Sequence, residues 1–224
     1  MKLLIIEDEA ELATSIADYL SGENYNSEFA VNFSQAMHKI NLYKYDCILL
    51  DLMLPGGDGM QILAELKKQN KQDGVIIISA KNSLDDKIKG LQIGADDYLA
   101  KPFHLSELSA RVFSVIRRKN FTNSNIVRQK ELQIDILSKI VQVKDTAVTL
   151  TKKEYALLLY FVSNKNRVIS KNALAEHISG DIADMLDNHD FVYSHIKNLK
   201  KKLGDSGCGN YLKSVYGTGY RWEI

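Results

Sequence analysis

The chain has 224 residues, of which 45% are hydrophobic and 25% are charged, and its formal net charge is +1. This length allows one or two domains with buried cores, and no uncharged apolar run reaches the roughly 18 residues that a transmembrane helix needs. The first residues, MKLLIIEDEAE, contain only four consecutive apolar residues before an acidic cluster, too few for a signal peptide. We therefore expect a cytoplasmic protein.

Cysteine content and charge distribution add two weaker indications. Cys47 and Cys208 lack a CxxC partner and a metal-ligand spacing, so we expect two free thiols, with Cys47 buried in an apolar run. Residues 1–125 carry 14 Lys and Arg against 17 Asp and Glu, a net charge of −3, whereas residues 126–224 carry 15 against 11, a net charge of +4. An acidic half followed by a basic half is a slight indication of a nucleic-acid-binding C-terminal part.

The first half alternates short apolar runs with amphipathic segments. Nearly continuous runs of Leu, Ile and Val are typical of strands covered on both faces, and five strand–helix repeats predict a parallel sheet with right-handed crossovers. We predict an α/β domain, residues 1–118, with a five-stranded, doubly wound, flavodoxin-like sheet. Its strands are predicted at 2–6, 27–30, 47–50, 75–79 and 98–100, and its helices near 9–21, 34–41, 58–69, 83–93 and 105–118.

A short polar segment, 119–125, is predicted to be a linker to an α+β domain at 126–224. Thr151 and Glu154 have the spacing of a capping box, and Gly204 is a candidate helix stop. The predicted strands are 131–135, 139–143 and 147–150, the helices are 151–164, 170–178 and about 188–203, and a hairpin joins 211–216 to 220–224.

Charged side chains follow several strands of the predicted parallel sheet. Glu7 and Asp8 end the first strand, Asp51 the third, and Lys101 follows the fifth. Ligands bind at the carboxyl ends of such strands, and three carboxylates brought together there are stabilised by a divalent cation such as Mg²⁺. Lys101 could hold a phosphoryl oxygen. The sequence therefore predicts an acidic, Mg²⁺-binding pocket at this edge.

Within this pocket, Asp51 has the requirements of a carboxylate nucleophile towards phosphorus. Ser79, at the end of the fourth strand, could donate its hydroxyl to a phosphate oxygen, and Pro102 is consistent with a cis bond that directs Lys101 inward. A single Asp at a strand end is more often a turn or cap residue, and Glu7–Asp8 alone could be a helix N-terminal pair. The joint occurrence of compatible groups at four strand ends favours a functional pocket over these structural roles.

The motifs IIEDE, DLMLPGGDG, SA and YLAKPF resemble the receiver domains of bacterial two-component systems over residues 2–118. The resemblance implies that Asp51 is the phosphoacceptor, that Lys101 binds phosphate and that Ser79 and Tyr98 form a switch pair. It also implies a metal site of Glu7, Asp8, Asp51 and the Met53 carbonyl. Ser79 replaces the commoner Thr and Glu7 the commoner Asp.

In the subgroup with winged-helix effectors (the OmpR/PhoB type), phosphorylated receivers pair symmetrically through the fourth helix, fifth strand and fifth helix. The resemblance implies contacts across the two-fold of Lys87 with Glu107, Asp97 with Arg111, and Asp96 with Arg118. The alternative is that these are solvated surface charges, each worth about 0–1 kcal/mol.

The last predicted helix has an apolar stripe of Val192, Ile196, Leu199 and Leu203 opposite a polar face. Besides Asp190, that face carries Ser194, Lys197, Asn198 and Lys201. This division suits a helix that enters a DNA groove, although an ordinary amphipathic helix can show it too.

LTKKEYALLLYF, VISKNALAEHI, FVYSHIKNLKKKLG and YGTGYRWEI resemble the winged helix-turn-helix effector of the same subgroup, which implies a recognition helix at 188–203 and a wing at 211–224. Tyr216 and Arg221 are the wing candidates for DNA contact. Asp190 and Tyr216 stand where family members commonly have Arg, so this chain departs from the family at the positions of its usual base and minor-groove contacts.

The resemblance implies a DNA-binding transcriptional response regulator rather than an enzyme. A partner histidine kinase would phosphorylate Asp51 with Mg²⁺, and the resulting homodimer would bind double-stranded promoter DNA, with RNA polymerase a further candidate partner. One alternative is an aspartyl-phosphate phosphohydrolase, although Met53 occupies the position of its usual acid–base Asp. Another is a constitutive DNA binder whose receiver only dimerises.

Overall fold

The computed structural model describes residues 1–81, 83–121, 124–179 and 190–224. The chain divides into two compact units, Lys2–Thr122 and Asn123–Ile224, which we call the N-terminal and C-terminal units. Within the described residues, every helix is too short or too polar to cross a membrane.

The N-terminal unit has a five-stranded parallel sheet in the order β2-β1-β3-β6-β7. The strand predictions are correct to within one residue, and every residue of β1, β3 and β6 is buried, as continuous apolar runs require. The strands are β1 (Lys2–Ile6), β2 (Asn26–Ala30), β3 (Cys47–Leu50), β6 (Gly74–Ser79) and β7 (Asp97–Ala100), with a short hairpin of β4 (Met53–Leu54) and β5 (Gly57–Asp58) after β3.

Five helices surround this sheet, and their predicted positions are confirmed. The last extends two residues beyond its predicted end, and Phe121, which follows it, is buried. The helices are α1 (Ala10–Gly22), α2 (Phe33–Leu42), α3 (Gly59–Lys68), α4 (Leu84–Ile93) and α5 (Leu105–Asn120).

A buried ionic cluster joins Lys2, at the amino end of β1, to Glu28 in the middle of β2. Lys2 and Glu28, 2% and 3% exposed, form an ion pair of 2.8 Å, and Lys39 Nζ lies 3.3 Å from the same carboxylate. The Tyr45 hydroxyl donates to Glu28 Oε2 at 2.8 Å, and Lys2 Nζ lies over the rings of Tyr43 and Tyr45. Buried charges are retained only when they are paired in this way.

The C-terminal unit contains a four-stranded antiparallel sheet, three helices and a three-stranded sheet. The first sheet has the order β11-β10-β9-β8 and the second the order β12-β14-β13. The elements are β8 (Ile126–Gln129), β9 (Leu132–Asp135), β10 (Ile140–Val143), β11 (Thr146–Ala147), α6 (Lys152–Ser163), β12 (Val168–Ser170), α7 (Lys171–Ser179), α8 (Asp190–Asp205), β13 (Leu212–Val215) and β14 (Gly219–Trp222).

Some boundaries of this unit differ from the prediction. The capping box of Thr151 and Glu154 is confirmed, whereas β8 and β12 were not predicted. Of the strand predicted at 147–150, only Ala147 lies in a strand, the two-residue β11. The predicted stop at Gly204 is wrong, because α8 continues through Asp205. The residue with positive φ is Gly207 (φ 83°), and Cys208 N–H donates to the Leu203 carbonyl at 3.0 Å. Predicted residues 188 and 189 lie outside the described residues.

Candidate phosphorylation site and DNA-binding surface

The carboxyl edge of the parallel sheet brings together the charged residues predicted to form a pocket. Glu7, Asp8 and Asp51 each offer an oxygen, and the three oxygens lie within 4.8 Å of one another. Glu7 and Asp51 are buried, whereas Asp8 is exposed. Oxygen ligands in a cluster that is part buried and part open fit a hard divalent cation that keeps some water.

Lys101 lies between two of these carboxylates. Its Nζ is 2.6 Å from Asp51 Oδ2 and 2.7 and 2.8 Å from the two oxygens of Glu7. Burial disfavours its charge, but Asp51 and Glu7 outweigh burial and raise the pKa of Lys101 above its usual range. The peptide bond between Lys101 and Pro102 is cis, as predicted.

Burial has the opposite effect on Glu7. It raises the pKa of that carboxyl above its usual range, and the nearby charge of Asp51 adds to the rise, while Lys101 opposes it. A cation beside Glu7 would therefore favour its charged form.

Two backbone features hold Asp51 in place. The N–H of Met53 donates to Asp51 Oδ1 at 3.0 Å, and the hairpin of β4 and β5 returns the chain so that Gly59, at the start of α3, lies against the Asp51 backbone. A Cβ at position 59 would be 2.3 Å from the Asp51 carbonyl oxygen, which explains why this position in DLMLPGGDG is a glycine.

The hydroxyl groups at the ends of β6 and β7 adjoin the pocket. Ser79, fully buried, donates to Asp51 Oδ1 at 3.2 Å. Tyr98 is half-buried, packs against the core, and donates from its hydroxyl to the Lys81 carbonyl at 2.5 Å. Burial, together with the charge of Asp86, raises the pKa of Tyr98, so the hydroxyl stays a donor at neutral pH. Ser79 therefore contacts Asp51 directly, and the Tyr98 hydroxyl interacts with the side chain of Ser79.

Five of the six predicted interface charges make contacts within the single chain. Arg111 binds Asp97 at 2.9 Å and Glu107 at 2.8 Å, while Arg118 donates to the Asp96 backbone carbonyl at 3.2 Å. The Asp96 carboxylate pairs instead with Lys119, at 3.0 Å.

Beside these charges, α4 presents an apolar stripe that was not predicted. Leu84, Ile88 and Leu91 are 72%, 42% and 48% exposed, and their spacing of four and three residues places them on one face of the helix.

On α8, the predicted polar face is exposed and the predicted apolar stripe is buried. Ser194, Lys197, Asn198 and Lys201 all face solvent, and so does Tyr193, at 58% exposure, which was not predicted as a DNA contact. A tyrosine on an amphipathic helix usually packs on the core, so its sequence position gave no signal. The side chain of Asp190 is outside the described residues.

The wing consists of β13, the turn 216–218 and β14. Tyr216 at the turn is fully exposed, whereas Arg221 is half-buried and pairs with Glu223. Of the two wing candidates, Tyr216 is therefore the more accessible to DNA.

The parallel sheet with an acidic pocket, followed by a helix with an exposed basic face and a β-hairpin wing, defines the class of two-domain phosphorylation-dependent DNA-binding regulators. Residues 3–113 match the family described as "Response regulator receiver domain", and residues 145–222 match "Transcriptional regulatory protein, C terminal". The chain belongs to the OmpR/PhoB-type response regulators of two-component systems, which are transcription regulators.

Individual relatives cover nearly the whole chain. It is 37% identical over 219 residues to "Response regulator ArlR" of Staphylococcus saprophyticus, covering 98% of this chain and 97% of that protein. It is 34% identical over 221 residues to "Transcriptional regulatory protein CiaR" of Streptococcus pneumoniae, with coverages of 98% and 97%. Among solved structures, the receiver domain of the Francisella response regulator 1452 is 38% identical, with a TM-score of 0.51, and covers 52% of this chain and 97% of its own.

Proposed function

We propose that Asp51 accepts a phosphoryl group from a partner histidine kinase and that phosphorylation converts the chain into a dimer that binds promoter DNA. The observation that carries this proposal is the convergence of Lys101, Ser79 and the three-carboxylate cluster on the Asp51 side chain. A nucleophilic carboxylate needs this combination of cationic and hydroxyl neighbours when charge moves onto it from a phosphoryl donor.

The pocket residues take distinct parts in the transfer. An Asp51 carboxylate oxygen would attack phosphorus, the bond from phosphorus to the donor nitrogen would break, and an acyl phosphate would remain on Asp51. Lys101, already 2.6 Å from Asp51 Oδ2, would bind one phosphoryl oxygen. The Ser79 hydroxyl, which now donates to Asp51 Oδ1, would instead donate to a second phosphoryl oxygen. Mg²⁺, held by Glu7, Asp8, Asp51 and the Met53 carbonyl, would offset the negative charge.

Ser79 and Tyr98 would transmit the effect of Asp51 phosphorylation to the surface of the N-terminal unit. Movement of Ser79 towards the phosphoryl group alters the space beside Tyr98, whose ring packs on the core and whose hydroxyl binds the Lys81 carbonyl just before α4. The apolar stripe of α4 supports dimerisation through α4, β7 and α5, because three exposed aliphatic side chains in register favour burial against a second copy. The ion pairs of Arg111 with Asp97 and Glu107 would lie at the polar edge of this dimer interface.

DNA binding is assigned to α8 and the wing. Lys197 and Lys201 would contact phosphates, Ser194 and Asn198 would reach base edges, and Tyr216 would contact the groove beside the helix. Arg221 is a weaker candidate because of its pairing with Glu223. RNA polymerase is a further candidate partner of the DNA-bound dimer.

The proposal is tested by the intact mass of the protein after incubation with Mg²⁺ and acetyl phosphate. We expect a phosphoryl adduct on the wild-type chain and on Asp58→Asn, because Asn can replace Asp58 as the N-cap of α3, and no adduct on Asp51→Asn. An adduct on Asp51→Asn would show that another residue is the acceptor and would refute the assignment.

A further inference from the structure

Lys101 occupies the centre of the acidic pocket with all its closest contacts on prospective metal ligands. Both oxygens of Glu7 lie within 2.8 Å of its Nζ, and Asp51 Oδ2 lies at 2.6 Å. The side chain of Lys101 is 18% exposed, so these contacts are little screened by water.

A divalent cation in this pocket needs the same oxygen atoms. The cluster that fits the metal consists of Glu7, Asp8 and Asp51, and Lys101 already binds two of its three members. An ammonium group and a metal ion repel each other. A carboxylate with both oxygens bound to a lysine is also less able to coordinate a metal ion with those oxygens.

We propose that Lys101 is an internal counter-cation that competes with Mg²⁺ for Glu7, so that metal binding releases Lys101 from Glu7 and leaves it available for the phosphoryl group on Asp51. The proposal rests on the proposed function in taking Mg²⁺ as the metal and Asp51 as the phosphoacceptor. It makes Lys101 a negative determinant of metal affinity, in addition to its part in binding phosphate.

The length of Glu7 is part of this competition. Glu7 gives Lys101 two contacts of similar length, whereas Asp8, one methylene shorter and at the exposed rim, remains open to a metal. An aspartate at position 7 would keep a carboxylate for the metal but withdraw it from Lys101 by the length of one methylene group.

The test is a Mg²⁺ titration of the full-length protein followed by the backbone amide resonance of Met53, whose N–H is bound to Asp51. We expect Lys101→Met to lower the Mg²⁺ dissociation constant about tenfold, because the competing charge at about 3 Å is gone. Lys68→Met removes a charge from a side chain that is 80% exposed and should leave the constant unchanged. An unchanged or raised constant for Lys101→Met would overturn the proposal.

A second neutral substitution, Lys101→Gln, keeps the test decisive if Lys101→Met does not fold, because its amide can still donate a hydrogen bond to Glu7 or Asp51. Glu7→Asp should lower the dissociation constant in the wild-type background, because it weakens the lysine contact, but not in a Lys101→Gln background. An increase in the constant in the wild-type background, or an equal decrease in both backgrounds, would refute competition by Lys101. Absence of any Mg²⁺ response in the wild-type protein would instead refute the metal assignment itself.

Discussion

The ion pair of Lys2 and Glu28 is almost completely buried, and Lys2 lies at the end of the sheet opposite to Asp51. Removing one member of such a pair leaves the other without its compensating charge in a poorly hydrated site. The pair is therefore expected to matter for stability rather than for phosphorylation.

We predict that Glu28→Gln lowers the stability of the N-terminal unit by about 3 kcal/mol, because Lys2 loses its carboxylate partner. Hydrogen exchange of the β1 amides measures this, since those amides exchange only when the sheet opens. Glu65→Gln breaks the more exposed 3.9 Å contact with Lys68 and should change stability by less than about 0.5 kcal/mol. Equal effects of the two variants would contradict the assignment.

The same pair gives stability a defined pH dependence. Burial alone would raise the pKa of Glu28, but its hydrogen bond and charge interaction with Lys2 outweigh burial and lower that pKa. The stabilisation is therefore present above the unfolded-state pKa of about 4.3 and is lost as pH falls through the folded-state value. Glu28→Gln should flatten this part of the stability profile.

At the scale of elements, the loop from β3 to α3 fixes Asp51 by close backbone packing. We predict that Gly59→Ala destabilises the N-terminal unit by about 1–3 kcal/mol and slows phosphorylation by acetyl phosphate, because the added methyl group must displace the Asp51 carbonyl. The rate of adduct formation by mass spectrometry measures the second effect. Gly22→Ala, where a Cβ meets no atom within 4 Å, is the matched control and should leave the rate unchanged.

The wing turn presents an uncharged aromatic side chain next to a basic helix. We predict that Tyr216→Ala weakens binding to duplex DNA with little change in its salt dependence, whereas Lys197→Ala also reduces the slope of log K against log salt by about 0.9. Fluorescence anisotropy at several KCl concentrations separates the two effects. Two results for Tyr216→Ala would contradict a non-ionic contact of Tyr216 with DNA. One is a slope of log K against log salt reduced as much as in Lys197→Ala, and the other is an unaltered affinity.

The elements differ in how well the sequence predicts them. Strands β1 and β3 were predicted to the residue, because a strand buried on both faces is nearly continuous in apolar residues. Strand β12 has only three residues, of which Ile169 alone is buried, so its pattern is too short to identify. At the end of α8 the chain has glycines at 204 and 207, and only the backbone conformation shows which one ends the helix.

The candidate pocket was predicted more completely than the surfaces. Parallel topology places the ends of β1, β3, β6 and β7 at one edge, so the proximity of Glu7, Asp51, Ser79 and Lys101 follows once the strands are located. The direct contact of Lys101 with Glu7 and the exposure of Tyr193 depend on side-chain conformations, which the order of residues does not specify.

At the scale of the whole molecule, dimerisation is the step expected to connect phosphorylation to DNA binding. We predict that Ile88→Glu prevents the phosphorylated protein from dimerising, because it places a charge within the α4 apolar stripe, while phosphorylation of Asp51 is retained. Light scattering after treatment with Mg²⁺ and acetyl phosphate gives the mass of the assembly. Leu42→Glu, at an exposed leucine at the end of α2, should still dimerise. A dimer of Ile88→Glu would move the interface elsewhere.

The strand orders also bear on how the protein forms during its synthesis. β1 lies between β2 and β3, and Lys101 follows the last strand of the same sheet, so a nascent chain lacks a complete phosphorylation pocket until Lys101 has left the ribosome. In the C-terminal unit β14 is the middle strand of its sheet, so β12 and β13 remain without their shared partner until residue 222 has been added. Phosphate acceptance is therefore expected to arise on the growing chain before DNA binding does.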